Sequence, residues 1–390
     1  MTATGGGPGP LVFLIAGEPS GDHLGAGLMS ALKQETAGRV RFVGIGGARM
    51  AAEGLDSLFP MDELSVMGLV EVLPHLRRIH RRIGKTAAAA RTARPDALVT
   101  IDSPEFTLRV SRRLKGCGFP LIHCVAPSVW AWRPRRARQL AQFLDLLLAL
   151  LPFEPPFFER HGLRTCFVGH PAADLATAPD AGRAFRADHG IPAEAPVVCM
   201  LPGSRLSEVQ RLAGRFGQAV GLLAGRHPDL RAVVPTVDAV AEAVAAAARS
   251  WPAAALIVRG EAEKHRAFAA SHAALTASGT AAVELAAAGV PAVLGYRVNW
   301  LTAAIGRRMV TVPHVGLPSL VLGRLVQPEL LQRDCTPDKL ADAVDRLLSD
   351  PVARAAQLAD CRAAVSLLKP GPEPAGLLAA REVLAEIARR

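Results

Sequence analysis

Leu11-Val12-Phe13-Leu14-Ile15-Ala16-Gly17-Glu18-Pro19-Ser20-Gly21-Asp22-His23-Leu24-Gly25 decides the fold. A continuous apolar run, a glycine loop and the helical pattern from Ala26 to Leu32 make strand, loop and helix, the opening unit of a doubly wound sheet. The glycines do not fall as GxGxxG, so no dinucleotide fingerprint is read. Ser20 and Asp22 stand where a side chain either caps the helix or meets a ligand.

Working outward, apolar runs recur at residues 40–45, 97–101, 121–125 and 144–150, with helical stretches between. Short runs alternating with helices predict parallel strands covered on both faces, whose ligands sit beyond the carboxyl ends of the strands. Asp102 stands at one such end, before Ser103-Pro104, where its carboxylate serves either as a base or as a helix cap. After residues 121–125 comes Ala126-Pro127-Ser128-Val129-Trp130-Ala131-Trp132-Arg133, again at the binding edge. Its tryptophans and arginines come with no recognised nucleic-acid module, so an anionic small substrate or a solvated helix start is the better reading.

Alternation restarts with residues 197–201, 231–235, 255–258, 274–277 and 291–294 after a polar, alanine-rich stretch that follows Val168-Gly169-His170-Pro171. The 390 residues therefore divide into a flexible tail over 1–10, a Rossmann-like domain over 11–170, a second over 171–350, and helices over 351–390 that cross back to the first. The fold class is α/β: two doubly wound parallel-sheet domains facing across a cleft. Leu201-Pro202-Gly203-Ser204-Arg205 is the first strand-to-helix turn of the second half, and it offers free backbone N–H groups and a guanidinium, a seat for phosphate. No GK[ST] follows, so it is not a P-loop. Ser278-Gly279-Thr280 opens another helix with small hydrogen-bonding residues, and Glu284 lies one turn further on. Tyr296, the chain's only tyrosine, ends the run at 291–294, and residues 315–324 form a loop able to close on a ligand.

The net charge is +10, and lysine supplies only six of the 45 basic residues. That excess of arginine suits phosphate recognition or reflects genomic base composition. Six cysteines without a CxxC pair indicate neither a zinc site nor a disulfide framework, and the N-terminus lacks the basic start and apolar core of a signal peptide. No uncharged apolar run approaches the roughly 18 residues of a membrane span. The expected compartment is the cytoplasm. Residues 64–76 are dense in apolar side chains, including Val66, Met67, Leu69 and Leu73, and run into Arg77, Arg78, His80, Arg81 and Arg82. Such a stretch lies in a membrane interface, grips acyl chains, or is an ordinary helix over the sheet.

Six motifs, Gly17-Glu18-Pro19-Ser20-Gly21-Asp22, Ile101-Asp102-Ser103-Pro104, Pro127-Ser128-Val129-Trp130-Ala131-Trp132, Val168-Gly169-His170-Pro171, Leu201-Pro202-Gly203-Ser204-Arg205 and Ser278-Gly279-Thr280-Ala281, occur in the order of one family. By them the chain resembles the lipid-A-disaccharide synthases, inverting bacterial glycosyltransferases of the two-domain GT-B fold, from about Leu11 to Leu368. The resemblance implies UDP-2,3-diacylglucosamine as donor and 2,3-diacylglucosamine 1-phosphate as acceptor. The products are a β-1,6-linked disaccharide 1-phosphate and UDP, made at the cytoplasmic side of the inner membrane. It implies Asp102 as the base, Arg205 with Gly203, Ser204, Ser278, Gly279 and Thr280 at the UDP phosphates, and Glu284 at the ribose. Glu18, Ser20, Asp22, Val66, Met67, Leu69, Leu73, Trp130, Trp132 and Arg133 fall on the acceptor and lipid side. No cofactor, metal or nucleic acid is implied; the partners are the two substrates and the membrane surface, and a homodimer is compatible with the sequence. Ser319 departs from the family, where an asparagine in a Leu-Pro-Asn context is expected to contact the donor. The competing readings are another GT-B nucleotide-sugar enzyme, such as a UDP-N-acetylglucosamine 2-epimerase, and a non-catalytic lipid- or nucleotide-binding protein of the membrane surface.

Overall fold

A computed structural model describes residues 9–64, 76–131, 134–176, 178–277, 279–298 and 312–390. The described chain forms two compact units, Met1–Pro171 with Lys369–Arg390, and Ala172–Leu368. Unit one holds the strands β1 (Leu11–Ala16), β2 (Arg41–Ile45), β3 (Ala97–Ile101), β4 (Leu121–Cys124), β5 (Leu146–Ala149) and β6 (Arg164–Phe167). They form a sheet in the order β2-β1-β3-β4-β5-β6, with every pairing parallel. Unit two holds β7 (Val197–Leu201), β8 (Arg231–Thr236), β9 (Ala255–Arg259), β10 (Ala273–Thr276), β11 (Ala292–Tyr296) and β12 (Glu329–Leu331). Their order is β12-β11-β10-β7-β8-β9, again all parallel.

The unbroken apolar runs exist because both faces of each strand are covered. In unit one, Val12, Leu14, Val99 and Ile122 face a core shared with Leu28, Met29 and Leu32 of the helix Pro19–Glu35 and Ala380 and Val383 of the helix Ala375–Ala388. Phe13, Ile15, Leu98 and Leu121 face the opposite core with Ile83 and Val110, from the helices Leu76–Ala93 and Pro104–Arg113. Unit two repeats the scheme, with Val198, Met200 and Leu275 against Leu212, Phe216 and Leu340, and Cys199, Ala274 and Ala292 against Phe268 and Leu285. Each buried Val, Leu, Ile, Phe or Met among them contributes about 1.5–3 kcal/mol by leaving water.

Two edge strands differ from the sequence expectation. β6, Arg164-Thr165-Cys166-Phe167, and the three-residue β12 are short and only partly buried, so neither shows an apolar run. The C-terminal boundary also shifts. The helix Pro351–Leu367 packs on the helices Gly279–Ala287, Leu317–Leu322 and Pro337–Ser349 of unit two, and the return to unit one begins only at Lys369. There the helix Ala375–Ala388 is held by Arg164, which reaches Glu382 at 2.5 Å and Glu386 at 2.6 Å, and by Arg381 to Glu35 at 3.1 Å.

Candidate active site

In the first sheet the strand order reverses between β1 and β3, the switch point where doubly wound sheets bind ligands. The two strands pair as far as Ala16 and Ile101, so the loops that follow emerge side by side. A Cβ on Gly17 would fall 2.7 Å from Ser103 Oγ, so only glycine allows this approach. Ser20 Oγ donates to Asp102 Oδ2 at 3.1 Å, and Ser103 Oγ donates to Glu18 Oε1 at 3.3 Å. Glu18, Ser20 and Asp102 are thus brought into one group.

Asp102 and Ser103 both have left-handed backbones, with φ of 51° and 44°, and Val125 after β4 has φ of 79°. A left-handed β-branched residue is a genuine outlier, and strain of this kind, of order 1–3 kcal/mol per residue, persists where the surrounding structure holds a site. All three residues lie at the carboxyl edge. The Asp102 carboxylate accepts from Ser20, and the helix Pro104–Arg113 receives no side-chain cap hydrogen bond from its N-cap residue, Ser103.

Asp22 requires correction. Its carboxylate, 5% exposed, neither caps its own helix nor stands open to an acceptor. It accepts the N–H groups of Gly47 at 2.8 Å, Arg49 at 3.0 Å and Met50 at 3.0 Å, pinning the start of the helix Ala48–Ala52. Trp130 stands in the loop after β4, where its Nε1 donates to Glu154 Oε1 at 3.1 Å and its ring meets Phe153 edge-on at 5.1 Å. Glu154, which has no motif around it in the sequence, also accepts the Leu151 N–H at 3.0 Å. Burial pushes its carboxyl up to about 7, against the pull of those hydrogen bonds. His123 is fully buried on β4, its Nδ1 2.8 Å from Thr100 Oγ1; burial first, and the charge of Arg136 second, hold the imidazole down to about 3. His170 is buried too, at 8% exposure. Arg82 of the basic run is committed to Glu63 and lies over the Phe59 ring, while His80 pairs with Arg113. Val66, Met67, Leu69, Leu73, Trp132, Arg133 and Ser278 lie outside the described residues.

The second sheet reverses between β10 and β7, and the two small-residue turns both follow those strands. Thr276 pairs with Leu201, and the Ala277 N–H donates to the Leu201 carbonyl at 2.9 Å, so the chain leaves both strands side by side at Pro202 and Ala277. Gly203 has φ of 126°, a conformation that side chains rarely adopt, and it carries the chain into the helix Leu206–Arg226. Ser204 and Arg205 are exposed at this helix start, as is Thr280 at the next, while Gly279 is half-buried near the Val315 carbonyl. Glu208, which sequence reading passed over, accepts the Ser204 N–H at 3.2 Å and lies 3.7 Å from Arg205 Nη1. An acid at the third helical position is a capping signal, so the sequence did carry a trace of it.

Glu284 is not open on all sides. Lys264 Nζ binds its two oxygens at 3.0 and 3.1 Å and also reaches Glu261 at 2.5 Å. Ser319 is corrected outright as a donor contact. Its side chain is fully buried and its hydroxyl accepts the Val326 N–H at 3.1 Å, so it braces the loop from inside. That same loop is fixed by Glu329, whose carboxylate accepts the N–H groups of Val315 and Gly316, each at 2.9 Å.

Two doubly wound parallel units in one chain, with Asp102 and Ser20 at one switch point and the Gly203 turn at the other, have the GT-B architecture. Solved structures agree in fold. A UDP-GlcNAc 2-epimerase from Neisseria meningitidis, bound to UDP-GlcNAc, aligns at TM-score 0.61 and 12% identity over 97% of this chain and 98% of its own. The calicheamicin glycosyltransferase CalG4 aligns at 0.58 and 19% over the same shares. Sequence relatives are much nearer. The family model described as lipid-A-disaccharide synthetase matches residues 12–376. The lipid-A-disaccharide synthase of Rhodospirillum centenum is 52% identical over 97% of this chain and 95% of its own, and that of Ruegeria pomeroyi 50% identical over 96% and 94%. The chain belongs to the lipid-A-disaccharide synthase family: it is a hexosyltransferase of lipid A disaccharide synthesis.

Proposed function

We propose that the chain joins UDP-2,3-diacylglucosamine to 2,3-diacylglucosamine 1-phosphate by a single inverting displacement. Asp102 takes the proton of the acceptor 6-hydroxyl as that oxygen attacks the anomeric carbon, a contribution of about a hundredfold or more. The Ser20 hydroxyl keeps the carboxylate in one orientation, and Glu18 is held beside it through Ser103. Arg205 and the N–H groups of Gly203 and Ser204, with those of the Gly279 helix start, bind the diphosphate and stabilise the charge that grows on departing UDP. No metal is required, because the guanidinium and the helix ends meet that charge. Glu284 accepts the ribose hydroxyls; a carboxylate offers about four lone-pair sites, enough to hold Lys264 as well. The observation that carries this reading is the placement of both motif sets at the two topological switch points.

Peripheral attachment to the cytoplasmic side of the inner membrane belongs to the same proposal. Its support is the apolar stretch at residues 64–76 followed by arginines, and the fact that no helix among the described residues is long and apolar enough to cross a membrane. The test is release of UDP by purified protein given both substrates, with and without EDTA. UDP formation dependent on the acceptor and indifferent to EDTA is the expected result. Epimerised donor without UDP release, or activity lost to EDTA and restored by magnesium, would overturn the respective claims.

A further inference from the structure

The donors that should hold the diphosphate are already engaged by an anion of the protein itself. Glu208, its side chain 13% exposed, accepts the Ser204 N–H at 3.2 Å and faces Arg205 Nη1 at 3.7 Å. It lies so close over the turn that a Cβ on Gly203 would fall 2.6 Å from its Oε2. A capping acid normally stabilises a helix start without consequence, because nothing else claims the N–H group. Here the same N–H and the same guanidinium belong to the phosphate seat, and a carboxylate at contact distance from a bound diphosphate would repel it. Tyr296, at the end of β11, stands near it: burial first, and the charge of Glu208 second, push the phenol above its usual range.

We propose that Glu208 is an internal stand-in for the donor phosphate. In the free enzyme it satisfies the Ser204 N–H and Arg205. When a nucleoside diphosphate binds, Glu208 gives up both and turns to the neighbouring Tyr296 hydroxyl, so only a ligand carrying more negative charge than one carboxylate displaces it. Its return to the seat speeds release of UDP after transfer. Glu208 is a positioning residue that sets the charge specificity and residence time of the ligand; it takes no part in bond making. This rests on the reading that the turn at residues 201–205 seats the diphosphate.

The test is calorimetric titration of UDP, and of inorganic pyrophosphate, into the wild type and into Glu208→Gln, Tyr296→Phe and Arg205→Ala, with thermal melting of each. Gln keeps the hydrogen-bond acceptor and removes the charge, so Glu208→Gln is expected to bind UDP about tenfold tighter and to release it correspondingly more slowly. Tyr296→Phe deprives the displaced carboxylate of its anchor and is expected to bind UDP severalfold more weakly. Glu208→Gln binding UDP no tighter at unchanged melting temperature overturns the proposal, and so does Tyr296→Phe binding it no more weakly, which decides the matter if the Gln variant fails to fold. Should Arg205→Ala bind UDP like the wild type, the seat itself is misplaced; if it weakens binding while Glu208→Gln leaves it unchanged, only the stand-in falls.

Discussion

Asp102→Asn separates chemistry from architecture better than any other single change in this chain. The residue sits at φ of 51°, a left-handed conformation that Asn adopts as readily as Asp, so the backbone is not taxed. The amide oxygen still accepts from Ser20 Oγ, and the other backbone links of residue 102, its N–H to the Cys124 carbonyl and its carbonyl from Thr107 Oγ1, do not involve the side chain. Only the ability to take a proton is lost. General-base catalysis typically contributes about 10²–10⁴-fold, or about 2.7–5.4 kcal/mol at 1.36 kcal/mol per decade. Steady-state transfer measured by UDP release should therefore fall by at least about a hundredfold in kcat, with KM for both substrates and the melting temperature little changed. Asp102→Ala should lose activity similarly but also melt earlier, since Ala in a left-handed conformation costs about 1–2 kcal/mol. An Asn variant within tenfold of wild-type kcat would refute the assignment of Asp102 as base.

Two further outcomes follow from groups described above. The Glu154 carboxyl ionises near 7 in the folded protein against 4.5 as an ordinary glutamate, so between those values the unfolded chain has lost a proton that the folded one keeps. Its contribution therefore falls as pH rises through that window, and Glu154→Gln should flatten that part of the pH–stability curve from chemical denaturation; a curve of unchanged slope would contradict the buried-acid assignment. Replacing Val66, Leu69 and Leu73 together by Ser should release the protein from vesicles of anionic lipid or raise KM for acylated substrates in flotation and kinetic assays, and unchanged partitioning and kinetics would leave that stretch as core.

Central strands were legible because burial on both faces writes itself into the sequence as runs such as 11–16 and 197–201, and their ends located Asp102 and Arg205. Two of the four edge strands were not: β6 carries Arg164, whose role is to hold the helix Ala375–Ala388, and β12 begins with Glu329, whose carboxylate holds a loop. The polar side chains divided by partner rather than by type. Ser20 and Asp22 are two residues apart in one motif, yet one meets Asp102 and the other is consumed by three N–H groups from residues 47–50. Ser319 occupies the loop expected to serve the donor, and only the position of the Val326 N–H reveals that its hydroxyl turns inward. Glu154 became visible through a neighbour distant in sequence, Trp130, and Glu208 through the Ser204 N–H it accepts. The left-handed backbones of Ser103 and Val125 left no mark in residue type at all.

The first unit is made from two pieces of chain separated by the whole of the second. A ribosome therefore delivers the sheet with its helix Pro19–Glu35 first, a complete second unit next, and the helix Ala375–Ala388 after it. Until then the face formed by Leu28, Met29 and Leu32 has no lid, and the nascent first unit is exposed to aggregation and to chaperones for the entire time that the second is being synthesised. Completion of the core beneath Asp102, the proposed base, is in this way tied to synthesis of the helix Ala375–Ala388.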